Sequence, residues 1–101
     1  MNAETILQNQ IRVALSEYGI CIRNNVGTFM TEDGRKIVCG VKGMSDLMFL
    51  GRGKCVFLEV KTETGKPTQE QLNFISHMKH IGINAGIVRS VDDAIKLIKI
   101  S

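Results

Sequence analysis

Apolar positions recur along the chain with two periods, one helical and one strand-like. From Asn2 to Tyr18, Ile6, Gln10, Val13, Ala14 and Glu17 fall at helical spacing. Leu7, Ile11 and Leu15 widen that stripe, and Gly19 follows as a C′ residue, so the spacing predicts a helix. Ile20 to Val26 reads as a strand, and Thr28 to Cys39 as a hairpin turning over Glu32-Asp33-Gly34. Val41 to Ser45 is a loop carrying Gly43. Leu47-Met48-Phe49-Leu50 and Cys55-Val56-Phe57-Leu58 read as strands about a turn at Gly51-Arg52-Gly53. Thr62 to Pro67 is a polar loop, and Thr68 and Gln71 have capping-box spacing at the start of a second helix. Leu72, Ile75, Met78 and Ile81 form its predicted stripe, ended by Gly82. Ile83 to Arg89 is a further strand, and Ser90 caps a last helix carrying Val91, Ala94, Ile95 and Ile98. The predicted order is helix, three or four strands, helix, strand, helix. A strand–helix–strand passage after an antiparallel hairpin implies an α/β domain with a mixed sheet flanked by helices.

Acidic residues break two of the apolar runs. With a two-residue turn at Arg52-Gly53, Gly51 pairs with Lys54, and counting outward sets Asp46 opposite Glu59. Opposed side chains on an antiparallel pair stand about 4.5–5.5 Å apart at Cβ, and Lys61 projects to the same face as Glu59. Two carboxylates that close repel unless a cation lies between them, and a hard divalent ion with oxygen ligands fits that need. A turn on Gly51-Arg52 would instead bring Met44 opposite Glu59. Taken alone, the second strand also has a plain reading. Val56, Leu58 and Val60 would form the apolar face, with Glu59 and Lys61 a solvent-facing ion pair.

Composition narrows the class. A chain of 101 residues that is 44% hydrophobic and 23% charged is ordinary for one globular domain, 1–101. No apolar run reaches the roughly 20 residues of a membrane helix, and the first residues lack a signal-peptide pattern. Cys21, Cys39 and Cys55 fit neither a metal knuckle nor a disulfide framework, and read as buried or half-buried thiols in a reducing cytoplasm. Net charge is only +3. Between Gly34 and Lys66, however, Arg35, Lys36, Lys42, Arg52, Lys54, Lys61 and Lys66 outnumber Asp46, Glu59 and Glu63. That excess suits a polyanionic partner, and also a solvated face.

Gly43-Met44-Ser45-Asp46, then Glu59-Val60-Lys61, then Gln71 in the following helix resemble the motif of PD-(D/E)xK nucleases. Within that superfamily the chain resembles the VRR-NUC group in its minimal stand-alone form, typical of phages. The resemblance runs from the Glu4-containing first helix to Val88-Arg89. It implies a restriction-endonuclease-like αβββαβ core and hydrolysis of DNA phosphodiester bonds with Mg²⁺ or Mn²⁺. Asp46, Glu59 and the Val60 carbonyl would hold the metal. Glu4 is either a further ligand or a glutamate that complements the start of its helix. Lys61 would position the attacking water or stabilise charge at phosphorus. Gln71 would hydrogen-bond the water or the scissile phosphate, or be the partner of Thr68 in the capping box, and the two roles are compatible. Lys42, Arg52, Lys54 and Lys66 are the expected nucleic-acid contacts. The small members of the group look like homodimers that resolve branched DNA such as four-way (Holliday) junctions, acting in the host cytoplasm if phage-encoded. Phe29, Met30, Met44, Met48 and Phe74 supply material for such an interface.

Two other functions remain compatible with the sequence: a non-catalytic nucleic-acid-binding module, and a subunit of a larger nuclease assembly. Carboxylates facing a phosphate ligand argue against the first. His77 and His80 have no partners to complete a zinc site, and Ser16 and Ser45 no His/Asp partners for nucleophilic chemistry.

Overall fold

A computed structural model describes residues 1–24, 27–39 and 41–100, the side chains of 27–29 and 37–39 excepted. In chain order the elements are α1 (Ala3–Leu15), β1 (Ile20–Arg23), β2 (Gly27–Met30), β3 (Lys36–Cys39) and β4 (Leu47–Gly51), then β5 (Lys54–Val60), α2 (Gln69–His80), β6 (Asn84–Val88) and α3 (Val91–Lys99). Five strands, not three or four, therefore precede α2. The difference arises because β2 and β3 form a separate antiparallel ribbon, while the main sheet has the order β1-β4-β5-β6. With the ribbon set aside, α1-β1-β4-β5-α2-β6 is the expected αβββαβ core, followed by α3. The sheet is mixed: β4 runs antiparallel to β1 and β5, and β6 parallel to β5.

Helices cover both faces. Leu47, Phe49, Val56, Leu58, Val60 and Val88 pack with Ile11 and Leu15 of α1 and Ala94 and Ile98 of α3. Phe57 and Ala85 pack on the other face with Phe74 and Ile75 of α2. The Phe57 and Phe74 rings meet edge to face, 5.2 Å between centroids at 83°, the arrangement that ring quadrupoles favour. Strand β5 is thus covered on both sides and lies centrally.

Capping follows the sequence. Asn2, Thr68 and Ser90 each accept a backbone N–H of the first helical turn. The stripes are rotated from their expected positions. In α1 the buried residues are Gln8, Ile11 and Leu15, whereas Ile6 and Val13 are 45% and 74% exposed. Both sets have helical spacing, and contact with the sheet and α3 selects one of them. In α2 Phe74 and Ile75 are buried, and Leu72 and Ile81 stay exposed. Gly19 is not a left-handed C′ residue either, since its φ is not positive. It lets the end of α1 cross β4: a Cβ there would overlap the Leu50 carbonyl oxygen and stand 2.9 Å from Gly51 Cα.

Candidate active site

The β4–β5 turn fixes the geometry. Arg52 and Gly53 have φ values of 54° and 73°, the two left-handed positions of a type I′ hairpin turn. The register runs from Gly51↔Lys54 to Leu47↔Leu58, so the next step brings Asp46 across from Glu59, and the alternative turn is excluded. Here the Val60 N–H donates to Asp46 Oδ2 at 2.9 Å. The strand that carries Glu59 thereby orients the opposing carboxylate.

Asp46 is held from two other directions. Asn24, just past β1, donates its backbone N–H to the Asp46 carbonyl at 2.8 Å and its side-chain amide to the Ser45 carbonyl at 3.0 Å. On the other side, Gly43 has φ 80° and lies so close to α2 that a Cβ would overlap the Glu70 carbonyl. Lys42 Nζ stands 3.6 Å from Glu70 Oε1. The sequence offered no pattern to single out Asn24; its role emerges only from the β1–β4 register.

Glu59 is no solvent-facing residue. It is 1% exposed, and neither side-chain oxygen has a hydrogen-bond partner among the described residues. The alternation in β5 is real, but the face that the surface ion-pair reading assigned to water is the one on which Phe57 packs against Phe74 and Ile75 of α2. Lys61 Nζ stands 3.8 Å from Glu59 Oε1, with its side chain 12% exposed. Burial and the Asp46 charge push the Glu59 carboxyl up to about 8, against the opposing pull of Lys61. Burial also raises Asp46, while the Val60 N–H and Lys61 pull it back. The charge of Glu4, in the first turn of α1, adds to the pressure on Glu59. Glu4 is therefore within electrostatic reach of the pair. Among the described residues, though, no three or more His, Cys, Asp or Glu groups gather as a metal cluster.

Gln71 completes the capping box. Its Oε1 accepts the Thr68 N–H at 2.8 Å and its own N–H donates to Thr68 Oγ1 at 3.2 Å. With that oxygen committed, only its amide NH₂ is left to meet a substrate.

The expected basic contacts do not assemble into one patch. Arg52 lies at the far tip of the β4–β5 hairpin, 5.3 Å over the Tyr18 ring. Lys54 donates to the Ile98 carbonyl at 3.3 Å, near the end of α3. Lys54 lies five steps along the strand from Glu59, about 17 Å at strand rise. Lys42 and Lys66 are exposed in the segments that precede and follow the site strands, Lys42 beside Glu70 at the start of α2. Of the thiols, Cys21 and Cys55 are free and half-buried. Burial raises both, Cys21 to about 11, so neither is an activated nucleophile. The Cys39 and Phe29 side chains lie outside the described residues.

The donor set is one that a hard divalent cation accepts: a buried carboxyl group with neither oxygen hydrogen-bonded among the described residues, and a second carboxylate across the ladder. Among solved structures, the chain is similar to a VRR_NUC domain, with 26% sequence identity and a TM-score of 0.71, over 98% of this chain and 97% of that one. No family model and no curated protein matches the sequence. The mixed four-stranded sheet with its three helices is a compact α/β fold that matches the nuclease-like VRR_NUC fold. That likeness, over nearly the whole of both chains, supports a VRR-NUC domain.

Proposed function

We propose that the protein is a metal-dependent endonuclease that hydrolyses DNA phosphodiester bonds, acting as a homodimer on branched DNA such as four-way junctions. The observation that carries the chemistry is Glu59, a carboxyl group sealed from water with neither oxygen hydrogen-bonded among the described residues, beside Asp46 and Lys61. Burial and the Asp46 charge favour the protonated form of that carboxyl, and a bound cation would displace the proton and complete the site.

Asp46, Glu59 and the Val60 carbonyl are the proposed ligands for Mg²⁺ or Mn²⁺, with Glu4 a further acidic group beyond them. When bound, such a cation lowers the pKa of a coordinated water toward neutrality and polarises the phosphoryl oxygen. The protein's own groups do the rest. Val60 N–H fixes one oxygen of Asp46, so the carboxylate enters the reaction already oriented. Lys61, with its ammonium largely desolvated, aligns the attacking oxygen or stabilises charge that builds on the phosphate. The Gln71 amide nitrogen donates to the scissile phosphate and keeps that capacity at any pH. Lys42 and Lys66 contact neighbouring phosphates.

The test is incubation of the purified protein with linear duplex and four-way-junction DNA in Mg²⁺, Mn²⁺ or EDTA. Cleavage is expected with either metal and not with EDTA, and the junction is expected to be cut faster. No metal-dependent cleavage of any substrate would overturn the nuclease reading.

A further inference from the structure

Arg89 sits just beyond β6, whose parallel pairing with β5 brings Glu59 beside Ile87 and Val60 beside Val88. The Lys61 N–H donates to the Val88 carbonyl at 3.1 Å, so Arg89 directly follows the residue to which Lys61 is tied. Its Nη1 donates to three carbonyls of the next loop: Thr62 at 2.6 Å, Glu63 at 3.3 Å and Gly65 at 2.7 Å. That loop is a tight turn, with the Gly65 N–H donating to the Thr62 carbonyl at 3.1 Å. It also packs on the catalytic lysine: a Cβ on Gly65 would stand 3.5 Å from Lys61 Cδ. Arg89 is itself anchored, its N–H donating to Asp93 Oδ2 at 2.9 Å, while the Asp93 N–H donates to Ser90 Oγ at 3.0 Å at the start of α3.

We propose that Arg89 is a positioning residue of this site: its guanidinium binds the carbonyls of Thr62, Glu63 and Gly65 and so sets the path of the segment joining Lys61 to Gln71. This rests on the nuclease reading above. Three carbonyl oxygens converging on one point repel one another, and a fixed cation converts that repulsion into attraction. Without it the turn opens, the Lys61 stem loses its packing against Gly65, and the entry into α2 shifts. Displacing a reacting group by about an ångström costs on the order of 10²-fold in rate, which is the scale on which such a clamp acts.

The experiment compares the full-length protein with Arg89→Met and Arg89→Lys. Amide hydrogen exchange is read at Lys61 and Gly65 against β4, and kcat and KM are measured on DNA in Mn²⁺. Arg89→Met is expected to lose about tenfold or more of the protection at Gly65 with β4 unchanged. Its kcat should fall between about 10- and 100-fold, with KM within twofold of the wild type. Arg89→Lys restores a cation to the three carbonyls and should recover part of the rate. Unchanged protection or unchanged kcat overturns the proposal. So does a raised KM at constant kcat, which makes Arg89 a DNA contact. If Arg89→Met does not fold, Arg89→Lys decides by the same measures, with a smaller loss expected. Should the wild type cleave nothing, the nuclease reading falls, and the exchange data alone decide whether Arg89 holds the loop.

Discussion

Glu59 raises a question of proton balance that its neighbours answer. Its carboxyl is raised from 4.5 to about 8, by burial first and the Asp46 charge second. The metal-free folded protein therefore keeps a proton between those values that the unfolded chain releases. The stabilisation is fully present below pH 4.5 and is lost as pH rises through about 8. Urea midpoints measured without metal are expected to fall from pH 5 to pH 8, and Glu59→Gln should flatten that slope; an unchanged slope would refute the assignment. Cation binding must expel the same proton, so affinity for Mn²⁺ should climb with pH up to about 8. Calcium should bind but support little turnover, because its larger and looser coordination holds water and phosphate less tightly. Asp46→Ala, Glu59→Gln and Lys61→Ala are each expected to lower cleavage at least about 10²-fold, and Asp46→Ala and Lys61→Ala to keep the fold. Retained activity in either carboxylate variant would sink the site. These three residues were legible from the counting of a hairpin register. Asn24 was not, and Arg89 was marked only as the end of the resemblance, because the contacts of both run through backbone carbonyls, which leave no mark on residue identity. Burial of Glu59 was illegible for a related reason: alternation in one strand reports two faces and says nothing of what covers the second.

At the scale of elements, the site depends on how loops seat against helices. Gly43 joins a left-handed φ of 80° with contact against the Glu70 backbone, so the loop before Asp46 can approach α2 only with glycine there. Gly34, in the β2–β3 turn, has φ 85° but open space where a Cβ would go. The two positions separate strain from contact. Gly34→Ala should cost about 1 kcal/mol from φ alone and leave cleavage unchanged. Gly43→Ala adds overpacking of about 1–3 kcal/mol and should also lower kcat, because Asp46 moves with the loop. Equal activity in the two variants would show that the seat on α2 does not matter. The type of most elements was legible from caps and turn residues, but the strand count before α2 was not, because nothing in the pattern sets β2 and β3 apart as a separate ribbon. Helix faces were less legible: in α1, Ile6 and Val13 share helical spacing with Ile11 and Leu15, and only the sheet and α3 decide which set is buried.

For the whole molecule, one site on one short chain cuts one strand per encounter, and paired incision of a four-way junction needs two sites in fixed relation. A C₂ dimer meets that need most simply, because the junction has approximate twofold symmetry. The structure revises which residues are free to make its interface. Phe74 is 8% exposed and packs in the core beneath α2, and Met44 and Met48 pack against that core. Met30 stays 67% exposed on the ribbon. The larger apolar surface lies elsewhere, on α1 and the edge strand β1, where Val13 is 74%, Ile20 64% and Ile22 39% exposed. Val13 and Ile20 line one open cleft, and among the described residues no strand pairs with the outer side of β1. A Val13→Asp/Ile20→Asp variant is therefore expected to sediment as a monomer at micromolar concentration where the wild type is a dimer. Neither side chain belongs to the core, so its urea midpoint should barely move. Without a second site held in register, the variant should still nick a junction but lose simultaneous incision of both strands. Binding of both forms should weaken steeply with salt, by roughly 0.9 logarithmic units per tenfold rise in salt for each phosphate neutralised. The dimer, which engages two sets of basic loops, should show about twice the slope of the monomer. A wild type that sediments as a monomer, or one that cuts linear duplex and four-way junction equally, would remove both the dimer and the branched substrate from the proposal.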